Sequence, residues 1–323
     1  MKRFLAVCGA LALALSGGTP VLAQSYPDKP VRLVVPYPPG GTADLLARLI
    51  GQALGDGLKQ PIVVENRGGA GGNIAADYVA RSPADGYTLL FGNVAVFSIN
   101  PTLYKKIPFN PIKDFAPVSL VASVPQMLVV HPSMSVSSVK ELVNLARSKP
   151  GELNYASGGI GSATQLAVEL VKTTAGVNIV HVPFKGSGPA LAALAGGQVS
   201  MMIENVPTAL PFVRDGRLRA LAITTAKRSS LVANLPTLAE SGFPGYDLSA
   251  WFGVQAPAGT PPPIVARLNH EIVAAVQSPQ LKERFASLGA DPVTNTPEEF
   301  AVFIKNELEK WAVIVKQSGA TAN

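Results

Sequence analysis

Apolar positions along the chain change repeatedly from the spacing of a strand to that of a helix. Residues 31–37 form a β-rich run, and the apolar residues between Leu45 and Leu54 then recur at helical spacing. The same order returns further on, at residues 153–175 and 179–195. Strands that alternate with helices are typical of a parallel sheet covered by helices, so the pattern predicts an α/β fold.

Two proline-bearing breaks between apolar runs predict crossings between domains. They lie at residues 123–125 and 240–246. The first is inside an apolar stretch, residues 118–132, that is long enough for two strands with Pro125 between them. Two α/β lobes joined by two crossings form a hinged molecule with a cleft between the lobes.

These crossings predict a discontinuous first domain. Domain 1 comprises residues 24–124 and 245–323, and domain 2, residues 125–244, is inserted into it. Two long C-terminal helices are predicted within domain 1, at about residues 262–277 and 297–319. The chain is long enough for about two domains, and its 47% hydrophobic residues allow a large core.

The first residues predict export. Lys2 and Arg3 precede a short apolar run, and the small-residue stretch at 21–23 ends in Ala23. This is the pattern of a secretory signal peptide, residues 1–23, with cleavage after Ala23. The chain's single cysteine, Cys8, lies inside this segment, so the mature protein offers no disulfide and no cysteine metal ligand. We therefore expect a soluble periplasmic protein.

The charge balance gives no support to nucleic-acid binding. Removal of Lys2 and Arg3 lowers the formal net charge from +6 to +4, and the remaining basic residues form no cluster. A weakly positive field favours small anions slightly, although ordinary solubility charge is sufficient to explain it.

A first candidate site is the glycine-rich loop "PYPPGGTADLLAR", residues 36–48. A strand, a glycine-rich loop and a helix in this order create an anion site, because the helix N-terminus presents free N–H groups and a positive dipole end. The amides of Gly40 and Gly41 and the hydroxyl of Thr42, which can cap the helix, are the predicted donors. Asp44 and Arg48 fit an ion pair within the helix, with ligand contact as the alternative.

A second loop of the same kind is "SGGIGSATQL", residues 157–166. The hydroxyls of Ser157, Ser162 and Thr164 and the glycine amides could hold an anion without a charged side chain. If the two loops face each other, a molecule with one or two carboxylates would bridge them. The alternative is that both are ordinary strand-to-helix turns.

Other chemistry finds little support. The sequence has no Walker loop and no Gly-x-Ser-x-Gly elbow, and "GGAGGNI" fails the dinucleotide fingerprint. His131, His181 and His270 lie far apart without neighbours at metal-ligand spacing, so structural roles are expected, with no metal or cofactor. Glu65 and Glu204 end strands but have no evident partner for acid and base catalysis.

Three further residues are open to two interpretations. Lys185 fits a solvated loop charge, with contact to an anionic ligand as the alternative. Trp251 and Phe252 fit core positions, with a place in the cleft wall as the alternative.

Five blocks of sequence, in order, resemble a known family. They include "VRLVVPYPPGGTADLLARLIGQAL", "LNYASGGIGSATQLAVEL" and "HVPFKGSGPALAALAGGQV". Together they resemble the solute receptors of tripartite tricarboxylate transporters, the Bug or TctC-like family, from about Tyr26 to the C-terminus. The resemblance implies a periplasmic-binding-protein architecture of the Venus flytrap type. It also implies a monomeric receptor, without catalytic residues, that closes on a small carboxylate and delivers it to a membrane permease of one small and one large subunit.

The family's ligand residues can be carried onto this chain position by position. The resemblance implies that backbone amides, hydroxyls and ordered waters hold the carboxylate. The matching candidates are Tyr37, Pro39, Gly40, Gly41, Thr42, Asn93, Ser157, Gly158, Gly161, Ser162, Thr164, Gln165, Lys185 and Asn205, with Gly186 and Ser187 as further candidates for the wall.

The chain departs from the family pattern at positions that bear on the ligand. Gln165 stands where the family often has histidine, and Val94, Val96 and Phe97 stand where many relatives carry threonine and histidine. The pair Glu204 and Asn205 replaces a frequent aspartate; all six residues favour a less polar cleft, for an aromatic or branched monocarboxylate.

Two other functions stay open. An exported enzyme, such as a hydrolase of a carboxylated substrate, would need a nucleophile, a metal site or an acid and base pair. A ligand-sensing partner of a two-component system would use the same fold and the same binding step. The identity of the solute is not determined by the sequence.

Overall fold

The computed structural model describes residues 26–322 of the 323-residue chain. The predicted signal peptide, with Cys8, lies outside the described residues. Strands and helices alternate along most of the described part, in this order: β1 (Val31–Val35), α1 (Thr42–Leu58), β2 (Ile62–Asn66), α2 (Asn73–Ala80), β3 (Thr88–Asn93), α3 (Asn100–Leu103), β4 (Phe115–Val130), α4 (Val139–Ser148), β5 (Asn154–Ser157), α5 (Ala163–Ala175), β6 (Val180–Pro183), α6 (Ser187–Ala195), β7 (Met201–Asn205), α7 (Val206–Arg214), β8 (Arg219–Ile223), β9 (Ser249–Pro257), α8 (Pro262–Gln277), α9 (Pro279–Leu288), β10 (Asp291–Pro292) and α10 (Pro297–Ser318).

The strands of the described residues form one continuous path in the order β2-β1-β3-β9-β4-β7-β5-β6, and β8 and β10 also pair with β4. Pairing is parallel between β1 and its neighbours and between β5 and its neighbours, and antiparallel wherever β4 or β9 takes part. We call β1 to β3, β9 and β10 with their helices the first lobe, and β5 to β8 with theirs the second lobe. The predicted two-lobed α/β class is confirmed.

Strand β4 belongs to both lobes. Residues 115–125 pair with β9, and residues 126–130 pair with β7. The prediction of two strands separated by Pro125 was wrong, because the strand continues through the proline. Pro125 pairs only with Ser249 at the start of β9, and the N–H of Gln126 is bonded to the Thr224 hydroxyl at 3.0 Å. The missing N–H therefore falls where the strand changes partners and removes no ladder bond.

The second predicted crossing, residues 240–246, lies in the segment between β8 and β9. Helix α10 also touches both lobes, since it packs against β4 and α5. The Thr173 hydroxyl on α5 donates to the Ser318 carbonyl of α10 at 3.4 Å. The numerical boundaries of the two domains stay a prediction.

The C-terminal region contains one helix more than predicted, α9, between the two expected ones. Its signals are local: the Ser278 hydroxyl accepts from Leu281 N, Pro279 occupies the first turn, and Gly289 ends the helix in the left-handed region. No helix in residues 26–322 has the length and apolar character needed to cross a membrane.

Candidate functional site

A cavity of about 60 Å³ lies between the lobes, where α1 faces the N-termini of three second-lobe helices. Its lining comes from both lobes: Tyr37, Pro38, Gly41, Thr42, Ala43, Asn93, Ala250 and Phe252 from the first, and Gly158, Ser162, Ala163, Thr164, Gly186, Ser187 and Asn205 from the second. The lobes are therefore closed on each other.

Direct contacts join the lobes around this cavity. The hydroxyl oxygens of Thr42 and Thr208 are 3.3 Å apart, so one donates to the other across the cleft. Further out, the Tyr104 hydroxyl of the first lobe donates to the Ile160 carbonyl of the second at 3.4 Å.

Four helices begin at the cavity. Helix α1 begins at Thr42, α5 at Ala163, α6 at Ser187 and α7 at Val206, directly after Asn205. Each N-terminus has backbone N–H groups without a partner in its own helix and the positive end of the helix dipole. Their convergence makes the cavity a favourable place for negative charge.

The first lobe also supplies a polar pair, Tyr37 and Asn93. The Asn93 side-chain amide donates to the Tyr37 hydroxyl at 3.1 Å, and Val96 N donates to the Asn93 carbonyl oxygen at 3.2 Å. Burial raises the pKa of Tyr37 to about 12, against the lowering effect of its hydrogen bond with Asn93. Tyr37 is therefore a neutral hydroxyl; it donates to Asn93 Oδ1 at 3.3 Å in this structure and can donate to an anion instead.

The predicted role of Thr42 as the helix cap was wrong. Gly41 is the cap residue, and no side chain accepts a bond at that position. Thr42 is the first helical residue, which leaves its hydroxyl pointing across the cleft to Thr208. Thr42 and Gly41 both line the cavity.

Gly40 was predicted as an amide donor, but its N–H is bonded to Asp44 Oδ2 at 3.1 Å. Gly40 and Pro39 are exposed and lie outside the lining. The expected ion pair within the helix forms, with 2.9 Å between Arg48 Nη2 and Asp44 Oδ1. Burial raises the pKa of Asp44, but the hydrogen bonds from Arg48, Gly40 and Asn66 outweigh it and hold the pKa below its usual value.

The second-lobe loop is bonded internally in a similar way. Gly158 N donates to the Thr164 hydroxyl at 3.1 Å, and Gly161 N donates to Gln165 Oε1 at 2.8 Å. The Ser162 hydroxyl caps α5 by accepting from Gln165 N at 3.2 Å. The glycine amides named as donors at Gly158 and Gly161 are thus engaged. Ser162 and Thr164 line the cavity, and their hydroxyls lie 3.0 Å apart, so one of the two hydroxyl protons is left to donate to a solute.

Ser157, Gly161 and Gln165 lie behind the lining rather than in it. The Ser157 hydroxyl is 2.7 Å from His181 Nε2, and Gln165 Nε2 is 3.4 Å from His181 Nδ1. Burial lowers the pKa of His181, and the Lys172 charge adds to this against the opposing effect of Glu169. The structural role expected for His181 therefore stands, and the three predicted residues support the loop.

Phe252 was predicted to lie in the core, with the cleft wall as the alternative. It is buried and also lines the cavity. Residues 251 and 252 point to opposite faces of β9. Trp251 packs against Phe300 and Phe303, as predicted for the core, whereas Phe252 stacks on Phe91 with 5.9 Å between the rings. The alternation of side chains along a strand was a signal that could have separated the two.

The prediction of a less polar cleft rested partly on residues that do not line the cavity. Val94, Val96 and Phe97 are fully buried in the first lobe and do not line the cavity. Lys185 is exposed and outside the lining. Of the departures from the family pattern, Asn205 alone lines the cavity.

Glu204 has the most unusual environment near the site. Its side chain is fully buried, and Oε1 accepts from Asn205 N at 2.9 Å. The Thr208 hydroxyl lies 3.1 Å from Oε1 and 3.0 Å from the Asn205 carbonyl, so it shares its proton between these two acceptors. Oε2 is buried without a hydrogen-bond partner among the described residues. Burial raises the pKa of Glu204 to about 7, against the lowering effect of the Asn205 amide and the Ser187 and Thr208 hydroxyls.

The two closed lobes and the anion-favouring cavity define an α/β solute-binding protein. The family model for the tripartite tricarboxylate transporter family receptor matches residues 46–320, and the chain therefore belongs to this family of receptors. No group of metal-ligating side chains occurs within residues 26–322.

Relatives cover nearly the whole chain. Protein BugT of Bordetella pertussis is 43% identical over 321 residues, which is 99% of this chain and 98% of BugT. The structure of Rpa4515 from R. palustris with adipate has a TM-score of 0.90 at 42% identity and covers 92% of this chain and 99% of that one. MatC from Rhodopseudomonas palustris with bound malate has a TM-score of 0.86 at 35% identity and covers 90% and 100%.

Proposed function

We propose that this protein is a periplasmic receptor that binds a small carboxylate in the cavity between its lobes. The observation that carries the proposal is the convergence of four helix N-termini on one cavity, whose lining includes no cationic side chain among residues 26–322. Neutral donors orient a carboxylate and still let it leave, which a transport receptor requires.

The solute that we propose is a short aliphatic dicarboxylate. Relatives were solved with adipate and with malate. In this chain the first lobe offers Thr42, Tyr37 and Asn93 to one end, and the second lobe offers Ser162 and Ser187 to the other. Phe252 supplies an apolar wall for the carbon chain between them. A solute that contacts both lobes at once favours the closed state. A solute that contacts one lobe alone does not shift the equilibrium towards closure.

Catalysis is not part of the proposal. A hydrolase would have to use the Ser157 and His181 pair, a hydroxyl and imidazole contact directly behind the cavity lining. Ser157 is fully buried and outside the lining, and the other imidazole nitrogen faces the Gln165 amide and no carboxylate. A substrate in the cavity therefore has no path to an activated nucleophile.

The remaining parts of the proposal concern the mature protein and its partners. We propose that the chain is exported by its signal peptide, cleaved after Ala23 and active as a monomer. It delivers its solute to the small and large subunits of a membrane permease. The same closed form could be read by a sensor, and a permease gene pair beside this gene favours transport.

The test is a thermal-shift screen of the mature protein with adipate, malate, benzoate and glucose, followed by calorimetry. We expect a dicarboxylate to raise the melting temperature, and a response to glucose alone would contradict the proposal. Replacement Thr42→Val removes the hydroxyl that faces the cavity and should weaken binding about tenfold, because a buried hydrogen bond to a charged group is lost. The exposed Thr174 provides the matched control, since Thr174→Val should leave affinity unchanged.

A further inference from the structure

The strongest unexplained feature of the molecule is the buried carboxyl group of Glu204, which has neutral donors and no cation beside it among the described residues. Oε1 accepts two hydrogen bonds, and Oε2 is buried without a partner among the described residues. An ionised carboxylate with a bare buried oxygen is costly, and a proton on that oxygen removes the charge.

Glu204 is connected to the cavity through short contacts. The Thr208 hydroxyl joins Glu204 Oε1 at 3.1 Å and the Thr42 hydroxyl at 3.3 Å, and Thr42 lines the cavity. Asn205, the next residue, also lines it. The chain of contacts from Glu204 to Thr42 crosses from one lobe to the other, so it is complete only in the closed form.

Charged groups on the neighbouring second-lobe elements do not compensate Glu204. On α5, Glu169 and Lys172 pair with each other at 2.9 Å. On β6, burial lowers the pKa of His181 and favours its neutral form. On β5, burial and Glu169 raise the pKa of Tyr155, which keeps it neutral.

The first lobe and β4 present no compensating charge either. On α1, Asp44 is paired with Arg48. Burial keeps Tyr37 neutral, and the residue of β4 that pairs with Glu204 is the apolar Met127. A carboxylate solute would thus lie close to the carboxyl group of Glu204, which is just behind the cavity lining. Two carboxyl groups in one buried site do not both stay ionised.

We propose that Glu204 is a proton-carrying positioning residue of the binding site, so that the closed receptor holds its anionic solute together with one proton. The proposal rests on the proposed function, the binding of a carboxylate. The proton removes the repulsion between Glu204 and the solute, and the neutral carboxyl keeps Thr208 in place against Thr42.

The sign of the pH dependence follows from linkage. Closure and anion binding raise the pKa of Glu204 above its value in the open protein, so binding takes up protons wherever the open form is ionised. Affinity is constant at low pH and falls as the pH rises through about 7, the value in the closed form. The steepest slope for one group is about tenfold per pH unit.

The experiment is calorimetry of the mature protein with adipate and with malate between pH 6 and 8, in two buffers with different ionisation enthalpies. Aliphatic carboxylates are ionised over most of this range, so the protein, and not the solute, takes up the protons from the buffer. We expect an uptake approaching one proton per solute at pH 6, about half a proton at pH 7 and little uptake at pH 8. We also expect affinity to fall about tenfold from pH 6 to pH 8.

The variant Glu204→Gln keeps the shape and removes the titration. We expect binding at pH 6 within about threefold of the native protein, no proton uptake and no fall in affinity towards pH 8. The exposed Glu309 on α10 gives the control, because Glu309→Gln should behave as the native protein does.

The outcomes separate the two proposals. Binding by the native protein without proton uptake overturns the role of Glu204 and leaves the receptor function intact, as does a Glu204→Gln variant that keeps the pH dependence. If neither adipate nor malate binds at any pH, the dicarboxylate function is overturned and this inference with it. The proton count of the native protein decides the question even if the variant fails to fold.

Discussion

In both glycine-rich loops a glycine N–H is bonded to the side chain four residues later, but the two accepting side chains differ in charge. In the first, Gly40 N donates to the side chain four residues later, the carboxylate of Asp44. In the second, Gly161 N donates to the side chain four residues later, the amide of Gln165. Each loop therefore holds its own glycine amide, but only the first carries a charge, which Arg48 balances on the outside of the helix.

The difference shows how each lobe manages negative charge. The first lobe keeps an ionised carboxylate at its helix N-terminus and neutralises it with a cation. The second lobe has an uncharged loop, three helix N-termini and a buried carboxyl that burial favours in its protonated form. The positive potential of the second lobe is thus left for a solute.

The largest expected effect comes from placing a carboxylate in that potential. The variant Ser187→Asp puts a charge at the start of α6, where it suits the helix dipole but lies in the cavity lining. We expect about 100-fold weaker binding of a carboxylate, because two like charges meet in a buried space. Calorimetry measures the loss.

A matched control for Ser187→Asp is Ser138→Asp, at the N-cap of α4 and outside the cavity lining. Thermal unfolding should place both variants at or above the native melting temperature. Equal binding by Ser187→Asp and the native protein would mean that the solute does not reach α6.

A smaller effect is expected when the second loop is made to resemble the first. Gln165→Glu retains the acceptor for Gly161 N and adds a carboxylate without an arginine partner. Because Gln165 lies one layer behind the lining, we expect about tenfold weaker binding at pH 8 by calorimetry. The exposed Gln317, changed to Glu, controls for net charge. An unchanged affinity would show that the loops do not differ in their electrostatic role.

The converse change makes the first loop resemble the second. Asp44→Asn keeps an acceptor for Gly40 but loses the ion pair, and we expect a loss of about 1 kcal/mol in urea unfolding at pH 7. Since the pKa of Asp44 is lowered in the folded protein, its stabilisation is present above its unfolded pKa and disappears as the pH falls through the folded value. The variant and the native protein should therefore converge in acid.

Asp77, paired with Arg81 at the same spacing on α2, provides the comparison for Asp44. Asp77→Asn should cost no more than about 0.5 kcal/mol, because that pair is largely exposed. Equal losses in the two variants would contradict a special role for the Asp44 network.

The smallest effect is expected at Lys185. Its side chain is exposed beside the lining residue Gly186, so it adds only a screened field. We expect Lys185→Ala to change affinity by less than about twofold at 0.15 M salt. A loss of affinity above tenfold would mean that the Lys185 cation, and not the helix N-termini, holds the carboxylate.

The sequence was sufficient to predict that strands and helices alternate, that the chain forms two lobes and where the two glycine-rich loops lie. Thr42 and Ser162 were predicted from strand ends and helix starts, and Asn205 from the family resemblance; all three line the cavity. The sequence was insufficient for hydrogen-bond partners: the amides of Gly40 and Gly161 looked free until Asp44 and Gln165 were seen to accept from them. The shared spacing of four residues was the available signal.

Long-range packing set the other limits. Phe252 could be assigned to the cavity only once β9 was paired with β3 and β4, which decides the face that each side chain takes. The pairing of Ser157 with His181 joins residues 24 positions apart on neighbouring strands. The contact of Thr42 with Thr208, which connects Glu204 to the cavity, likewise joins residues 166 positions apart, and no local pattern contains it.

The continuation of β4 through Pro125 bears on the rate at which the lobes open, and not on the affinity for the solute. Pro125 has no N–H, and the N–H of Gln126 is bonded to a threonine hydroxyl, so neither residue donates a backbone bond to a neighbouring strand; the Gln126 carbonyl accepts one, from Thr224 N at 3.0 Å. A bend at these two residues therefore disturbs few backbone bonds. We expect the lifetime of the loaded receptor to be set by the contacts in the cavity, so that dissociation rates follow affinity from one solute, or one variant, to the next.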